Sequence, residues 1–572
     1  MSKSKVTDLA YAALKDAIMD TKKNNKTNAL RYISEVAGHD KLYIVILLLV
    51  QIILGISSVF YALLFRGIIN AAVTHDKNRM LQNIILLVAV VLGQIFLRAG
   101  LRFLEEFSKS TYENAFKKRL FRELLMRDYR EVTSVHSGEW MNRLTSDAVV
   151  VSEGLSTIVP GVGGMITKIA GAIVVIFIME PNFFNIFVPG GTLLVLITYL
   201  LKKRLKTLHK SMQEKDGIVR IFMQEHLESL MIVKTFNREE ESVLQAEYVM
   251  ANHKKARMKR NHFSNICNIG LGGVMNGAYL FGAAYGALGI YNATMTYGSF
   301  MAILQLISQI QSPVVNITGY LPKYFAMIAS AERLMEVEKF KLDKKKTLTL
   351  TQVKDYYENC FESLQMNHVY FSYDEDNEVL RDYSLTVRKG EFVAFTGASG
   401  CGKSTVLKLL LGLYKPQEGT IAPGESYKRL FAYVPQGNYL MSGTIRSVVA
   451  FADLNDQKCE ERINNALTLA CCDFVGELTR GADMILGERG GGFSEGQMQR
   501  LAIARAIFSE SPILIFDEAT SALDADTERK VLENIKSMTD KTVIIVTHRP
   551  AALSVCDRQI VFGEEKEYAK RD

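Results

Sequence analysis

Residues 43–65 contain no Asp, Glu, Lys or Arg, and residues 84–101 contain only Arg98. A helix needs about 20 mainly apolar residues to cross a hydrocarbon core of about 30 Å, so each run is long enough to span a membrane. Four further runs follow at 158–179, 183–201, 263–291 and 297–322, the last two richer in Gly, Asn and Gln. Lipid offers no partner to a backbone N–H or C=O, which makes helix the expected conformation of every run. A six-helix all-α transmembrane domain is therefore predicted over 41–325, after a segment at 1–40. Lys3, Lys5, Lys22, Lys23 and Lys26 precede the first run without an apolar stretch among them. This is not the pattern of a cleavable signal peptide, and the first span is expected to direct insertion itself. Basic clusters at Lys117, Lys118 and Arg119, at Lys202, Lys203, Arg204 and Lys206, and at 254–260 fall on one side when both termini are cytoplasmic.

The connections between runs are unequal. Those at 180–182 and 292–296 are short, whereas the polar stretches after the second and fourth runs are long, with helical formers and interleaved charges at 109–129. They are expected to continue the membrane helices into the cytoplasm as paired rods. The net charge of +7 sits in clusters beside apolar runs, a pattern that fits membrane lipid and not nucleic acid. Asn265, Asn268, Asn276, Gln305, Gln309 and Asn316 fall inside the later runs and fit either a substrate path or interhelical hydrogen bonds. Lys168, a lone charge in the third run, reads as snorkelling or facing a cavity. The cysteines, Cys267, Cys360, Cys401, Cys459, Cys471, Cys472 and Cys556, have neither metal-ligand spacing nor a disulfide framework.

From about residue 361 the pattern changes to short apolar runs alternating with turns and helical stretches, predicting an α/β domain over 361–572 after a linker at 326–360. The run Gly397, Ala398, Ser399, Gly400, Cys401, Gly402, Lys403, Ser404, Thr405 follows an apolar strand and precedes a helical pattern. Its glycines let backbone N–H groups wrap phosphate oxygens, Lys403 reaches the β and γ phosphates, and Ser404 holds Mg²⁺. Asp517 and Glu518 close a second apolar strand. Asp517 fits a water-mediated Mg²⁺ contact and Glu518 the base that polarises the attacking water. His548 follows a third strand, where it is placed to contact the γ phosphate. The expected ligands are thus ATP or GTP with Mg²⁺.

These motifs, together with Phe493–Arg500 (FSEGQMQR), resemble the ATP-binding cassette transporters, specifically exporter-type half-transporters that carry both domains in one chain. The resemblance implies a P-loop ATPase cassette that binds ATP as a dimer, either with a second copy or with a related half-transporter. Ser494, Glu495, Gly496 and Gln497 would cap the nucleotide held by the partner. Tyr373 is similar to the residue that stacks on adenine, and Gln436 to the one linking Mg²⁺ to the membrane domain. Asp524, in SALD, resembles part of the loop between the two sites, and GERGGG at 487–492 a segment facing the partner's intracellular loops. HSGEWMNRLTSD from His136, HLESLMIVKTFNRE from His226 and SAERL from Ser330 look like the family's intracellular-loop and sixth-helix segments.

The sequence also departs from the family pattern. Seventeen positions separate Gly419 from Gln436, too few for the usual extra hairpin, so a shortened β-subdomain is expected. Phe493 replaces a leucine and Glu495 the first signature glycine. The implied function is ATP-driven export of an amphiphilic small molecule, lipid or peptide across a cell membrane, expected to be a bacterial inner membrane. Import by the same fold and a non-transporting membrane ATPase are the alternatives.

Overall fold

The computed structural model describes residues 28–181, 184–343, 346–373, 378–423, 427–437, 440–451, 459–487 and 491–563. Most of the expected 1–40 segment, the Phe183 edge of the fourth run and part of 487–492 lie outside the described residues. The chain forms two compact units, 1–125 with 136–339 and 126–135 with 340–572.

The first unit is built on six long helices: α1 (Lys41–Val73), α2 (Lys77–Met126), α3 (Ala148–Met179), α4 (Phe184–Glu228), α5 (Glu239–Tyr291) and α6 (Tyr297–Glu336). At about 1.5 Å per residue the 50 residues of α2 extend about 75 Å, more than twice a hydrocarbon core, so the membrane helices do continue as polar rods. Among the described residues, helices spanning Asn28–Val73, Lys77–Met126 and Ser137–Met179 are long and apolar enough to cross a membrane. Glycines set the packing of α3. A Cβ at Gly164 would lie 2.9 Å from Gln51 Oε1 of α1, and one at Gly154 would lie 2.6 Å from Met327 Sδ of α6. Such positions let helix backbones approach closely where lipid supplies no hydrophobic drive.

Helix α6 passes through Pro313 and Pro322 to Glu336, so residues 326–336 are helix and not the expected linker. A proline removes one backbone hydrogen bond from a helix, and tertiary contacts hold the turns beyond it. Ala331 and Leu334 are buried. Buried Asp147 takes Arg333 at 2.5 Å and the Ser330 hydroxyl at 2.9 Å. Arg143, only 3% exposed, reaches Glu336 at 2.8 Å. Arg143 and Asp147 bound a π-turn, a wound segment that brings both side chains toward α6.

The second unit is α/β, with strands β1 (Ser363–Ser372), β2 (Glu378–Arg388), β3 (Phe392–Gly397), β4 (Glu418–Ala422), β5 (Phe431–Val434), β6 (Ile513–Asp517), β7 (Thr542–Val546) and β8 (Arg558–Phe562). A parallel sheet runs in the order β8-β3-β7-β6-β5, and a three-stranded antiparallel sheet in the order β2-β1-β4. Successive strand residues point to opposite faces. Accordingly Phe392, Ala394, Leu514, Phe516, Val543 and Ile545 enter one core, while Val393, Phe395, Ile513, Ile515, Ile544 and Val546 enter the other. Burial on both faces explains why these strands read as continuous apolar runs.

Residues 350–360 also belong to this unit and not to a linker. Helix Leu350–Asn359 starts with a Thr349/Gln352 capping box and buries Val353 and Tyr357, whose hydroxyl lies 2.8 Å from Thr542 Oγ1 in the core. The strand Lys346–Thr347 pairs with Tyr427–Lys428, between Gly419 and Gln436. Segment 126–135 joins through a bridge between Arg127 and Leu342 and a bond from the Asp128 N–H to the Lys341 carbonyl at 2.8 Å.

Candidate nucleotide site

The loop after β3 needs backbone that most residues resist. Gly397, Gly400 and Gly402 have φ of +131°, +83° and +99°, and a Cβ on Gly397 would sit 2.5 Å from the Phe562 carbonyl oxygen. The helix Lys403–Leu410 (α7) starts directly behind Gly402, so its unpaired N–H groups and positive end face the loop. Lys403 is 7% exposed. Its ammonium donates to the carbonyls of Gly397 at 2.6 Å and Ala398 at 2.8 Å, and lies 3.6 Å from Cys401 Sγ. The lysine is therefore already aimed along the loop that Ser399 and Gly400 complete.

Tyr373 directly follows the antiparallel strand β1, beside this loop. Its hydroxyl lies 3.1 Å from Thr405 Oγ1, and its ring meets Phe371 and Tyr414 edge-on at 5.0 and 5.4 Å. Lys408 Nζ is 5.7 Å from its centroid. Arg130 donates to the Tyr373 carbonyl at 3.1 Å, and Tyr129 meets Tyr414 at 6.0 Å, so segment 126–135 packs on the aromatic group. Nothing in the sequence pattern of 126–135 pointed there.

Asp517, at the end of fully buried β6, is 4% exposed. The Tyr433 hydroxyl donates to its Oδ2 at 3.2 Å, and Ser404, second residue of α7, supplies a further hard oxygen of the kind Mg²⁺ prefers. Burial pushes the Asp517 carboxyl above its ordinary value, opposed by the Tyr433 hydroxyl and helped by Glu518. A raised folded value means that stability is lost as pH rises through it. Asp517→Asn should therefore raise the nucleotide-free melting temperature at pH 7 by about 2–4 °C, the shift for about 1 kcal/mol in a domain of this size. That gain should shrink as pH falls toward the ordinary value of 3.8, as thermal unfolding at several pH values would check.

Glu518 is the next residue and adopts φ of +52°, an uncommon conformation for a residue with a side chain and one that gathers at functional sites. Its N–H bonds the Val546 carbonyl at 3.1 Å, locking the turn to β7. Gln436 Nε2 donates to its Oε2 at 2.8 Å, so the two sequence-predicted residues meet directly. His548 follows β7 with its side chain exposed. Behind it Arg549 donates to the carbonyls of Thr520 and Leu523, both at 2.8 Å, and pairs with buried Glu528 at 3.1 Å. This network fixes the turn after Glu518, and spacing gave no signal for it.

The signature element begins the helix Glu495–Phe508 (α8). Ser494 and Gln497 form a capping box, with the Gln497 N–H on Ser494 Oγ at 3.3 Å and the Ser494 N–H on Gln497 Oε1 at 2.9 Å. Glu495 and Gly496 occupy the first turn, and a Cβ on Gly496 would sit 2.9 Å from the Ala522 carbonyl. Buried Gln499 ties α8 to the SALD loop, donating to Ser521 Oγ at 3.0 Å and accepting from the Ala522 N–H at 2.9 Å. It was not among the expected residues, because a glutamine inside a helix reads as surface. Asp524 caps the helix Ala525–Lys536 by accepting from the Thr527 N–H at 2.9 Å, and these backbone bonds hold its carboxyl below the ordinary value. Thus the loop, Asp517, Glu518 and Gln436 gather at one sheet end, while Ser494 to Gln497 form a separate helix start.

Residues 44–314 match the family model described as the ABC transporter transmembrane region, and residues 380–521 the one described as ABC transporter. The ATP-dependent lipid A-core flippase of Pasteurella multocida is 28% identical over 505 residues, covering 84% of each chain. ABC transporter B family member 1 of Dictyostelium discoideum is 26% identical over 517 residues, and this chain spans about half, 55%, of its length. A bacterial Atm1-family ABC exporter with ATP bound shares the fold at 21% identity, with a TM-score of 0.76 over 91% of this chain and 93% of that one. With both domain models matched in one polypeptide, the chain belongs to the ABC transporters as an exporter-type half-transporter whose cassette hydrolyses ATP.

Proposed function

We propose that this chain exports an amphiphile, most plainly a lipid-like molecule, by alternating access, and that two cassettes close on ATP to drive it. The observation that carries the chemical half is Glu518, held by Gln436 at 2.8 Å beside Asp517 and the phosphate loop. Lys403 would exchange the Gly397 and Ala398 carbonyls for phosphate oxygens, and the loop N–H groups would take the others. Mg²⁺, when bound, would neutralise charge developing between the β and γ phosphates. Ser404 and Asp517 would hold it. Glu518, oriented by its fixed backbone and by Gln436, would accept a hydrogen bond from the attacking water and take its proton as the water oxygen bonds to the γ phosphorus and the bond to the ADP oxygen breaks. His548, exposed at the end of β7, would meet the γ phosphate once the second cassette closes.

The Ser494 hydroxyl, already accepting from the Gln497 N–H, retains its own proton to donate to a phosphate across a dimer. The first turn of α8 favours an anion, but Glu495 adds a like charge beside that position. Glu495→Gly should strengthen ATP-driven closure by about 0.3–1 kcal/mol, the scale of a charge at a helix end, seen as a roughly two- to fivefold lower half-maximal ATP concentration. The amphiphile reading draws on the named activity of the lipid A-core flippase relatives and on the apolar and polar make-up of α1 to α6. The membrane is taken as a bacterial inner membrane, with both termini and the cassette cytoplasmic, consistent with the basic clusters.

Reconstitution into proteoliposomes with the cassette outside tests the function. ATP should drive a short-chain fluorescent phospholipid into the inner leaflet, and Glu518→Gln should stop it. ATP hydrolysis without such movement of lipid, drug-like amphiphile or peptide would overturn the transport reading.

A further inference from the structure

Strand β5 and the residues just after it send two donors to the adjacent carboxylates. Tyr433 stands opposite Ile515 in the parallel register of β5 with β6. Asp517 lies two residues beyond Ile515, so all three side chains share one face of the sheet. The ring of Tyr433 packs on the core that holds Ile513 and Ile515, and its hydroxyl reaches on to donate to Asp517 Oδ2 at 3.2 Å. Past the end of β5, Gln436 Nε2 donates to Glu518 Oε2 at 2.8 Å. Asp517 and Glu518 are thus tied to separate donors, both supplied by the short segment 433–436.

The two ties differ in how firmly they are held. Gln436 is exposed, whereas Tyr433 is half-buried and Asp517 is buried. A ring lodged in the core keeps its hydroxyl at a set place. The carboxyl torsion of an aspartate is by itself broad, and a carboxylate spreads about four lone-pair sites over its two oxygens. One fixed donor on Oδ2 therefore selects one rotation of the group. Carboxylates that serve a metal are commonly hydrogen-bonded in turn, and loss of such a partner lowers metal affinity by about 10–100-fold. We propose that Tyr433 is a positioning residue for the metal carboxylate: by holding Oδ2 it sets the rotation of Asp517, and with it the affinity of the nucleotide-loaded site for Mg²⁺, while Gln436 keeps Glu518 for the water. This rests on the placement of Mg²⁺ at Asp517 under the proposed function and adds the residue that tunes it.

The test titrates the full chain in nanodiscs with radiolabelled adenylyl imidodiphosphate, an ATP analogue that resists hydrolysis, once with saturating Mg²⁺ and once with EDTA. By linkage, the ratio of the two affinities measures how much more tightly the bound nucleotide holds Mg²⁺ than the free nucleotide does. Tyr433→Phe keeps the ring in the core and removes only the hydroxyl. It should lower that ratio about 10–100-fold and leave the affinity in EDTA within about twofold of wild type. A merely structural tyrosine would not give this split, because a loosened fold weakens both titrations together. A ratio that falls by less than about tenfold would overturn the proposal, whether the two affinities hold or drop in parallel. Asp517→Asn in the same titrations reports on the reading beneath it. An unchanged ratio in that variant would remove Mg²⁺ from Asp517, and Tyr433 with it. A lowered ratio in Asp517→Asn beside an unchanged one in Tyr433→Phe would leave the metal in place and dismiss Tyr433 alone.

Discussion

Glu518→Gln should abolish ATP turnover by about 10²–10⁴-fold, the usual contribution of a positioned general base, while leaving ATP affinity within about twofold. The reason is geometric. The φ of +52° at Glu518 and its N–H bond to Val546 are backbone features, and Gln436 finds a carbonyl oxygen on glutamine as readily as on glutamate. The variant keeps the shape of the site and loses only the base. Stopped turnover with nucleotide retained would appear as an ATP-stabilised dimer on size exclusion. Turnover within tenfold of wild type would assign the base elsewhere.

Lys403→Ala should act at the earlier step, weakening ATP binding by about 10²-fold. Charge-assisted hydrogen bonds contribute about 1.5–3 kcal/mol, and 1.4 kcal/mol is a factor of ten in affinity. The buried ammonium is also the group that bonds the carbonyls of Gly397 and Ala398 at 2.6 and 2.8 Å, so its removal loosens the loop. Fluorescent nucleotide titration would distinguish the two variants: Glu518→Gln binds and does not turn over, whereas Lys403→Ala does not bind at working concentrations.

The parts of this molecule that could be read in the sequence are those where one local rule decides the outcome. The phosphate loop was readable because only glycine tolerates φ of +131°, +83° and +99° at fixed spacing between a strand and a helix. The long rods were readable because the stretch 109–129 keeps helix formers without glycine or proline. What escaped depends on contacts distant in sequence. Pro322 ends a helix by local rules, and only the resemblance of SAERL at Ser330 to a sixth-helix segment pointed past it; α6 runs on to Glu336 because Asp147 and Arg143 hold its last turns through Arg333 and Glu336. Residues 350–360 read as a connection, since only Tyr357 meeting Thr542 shows that they complete the cassette. Gln499 and the pair of Glu528 with Arg549 are polar residues in helices or after a strand, indistinguishable from surface until the loop they brace is in place. For Glu518 the side-chain role was readable and the backbone strain was not, since acidic residues rarely need a positive φ.

The central claim is that each ATP site is shared, with the phosphate loop of one cassette closed by the Ser494 helix start of another. The most direct measurement is Mg²⁺-dependent ATP hydrolysis by the purified chain in nanodiscs separated into those holding one copy and those holding two. Activity confined to nanodiscs with two copies is the result predicted for a chain that pairs with itself, and mixing with a related half-transporter should supply it if the second cassette comes from there. Equal activity per chain in single-copy nanodiscs would contradict the shared site.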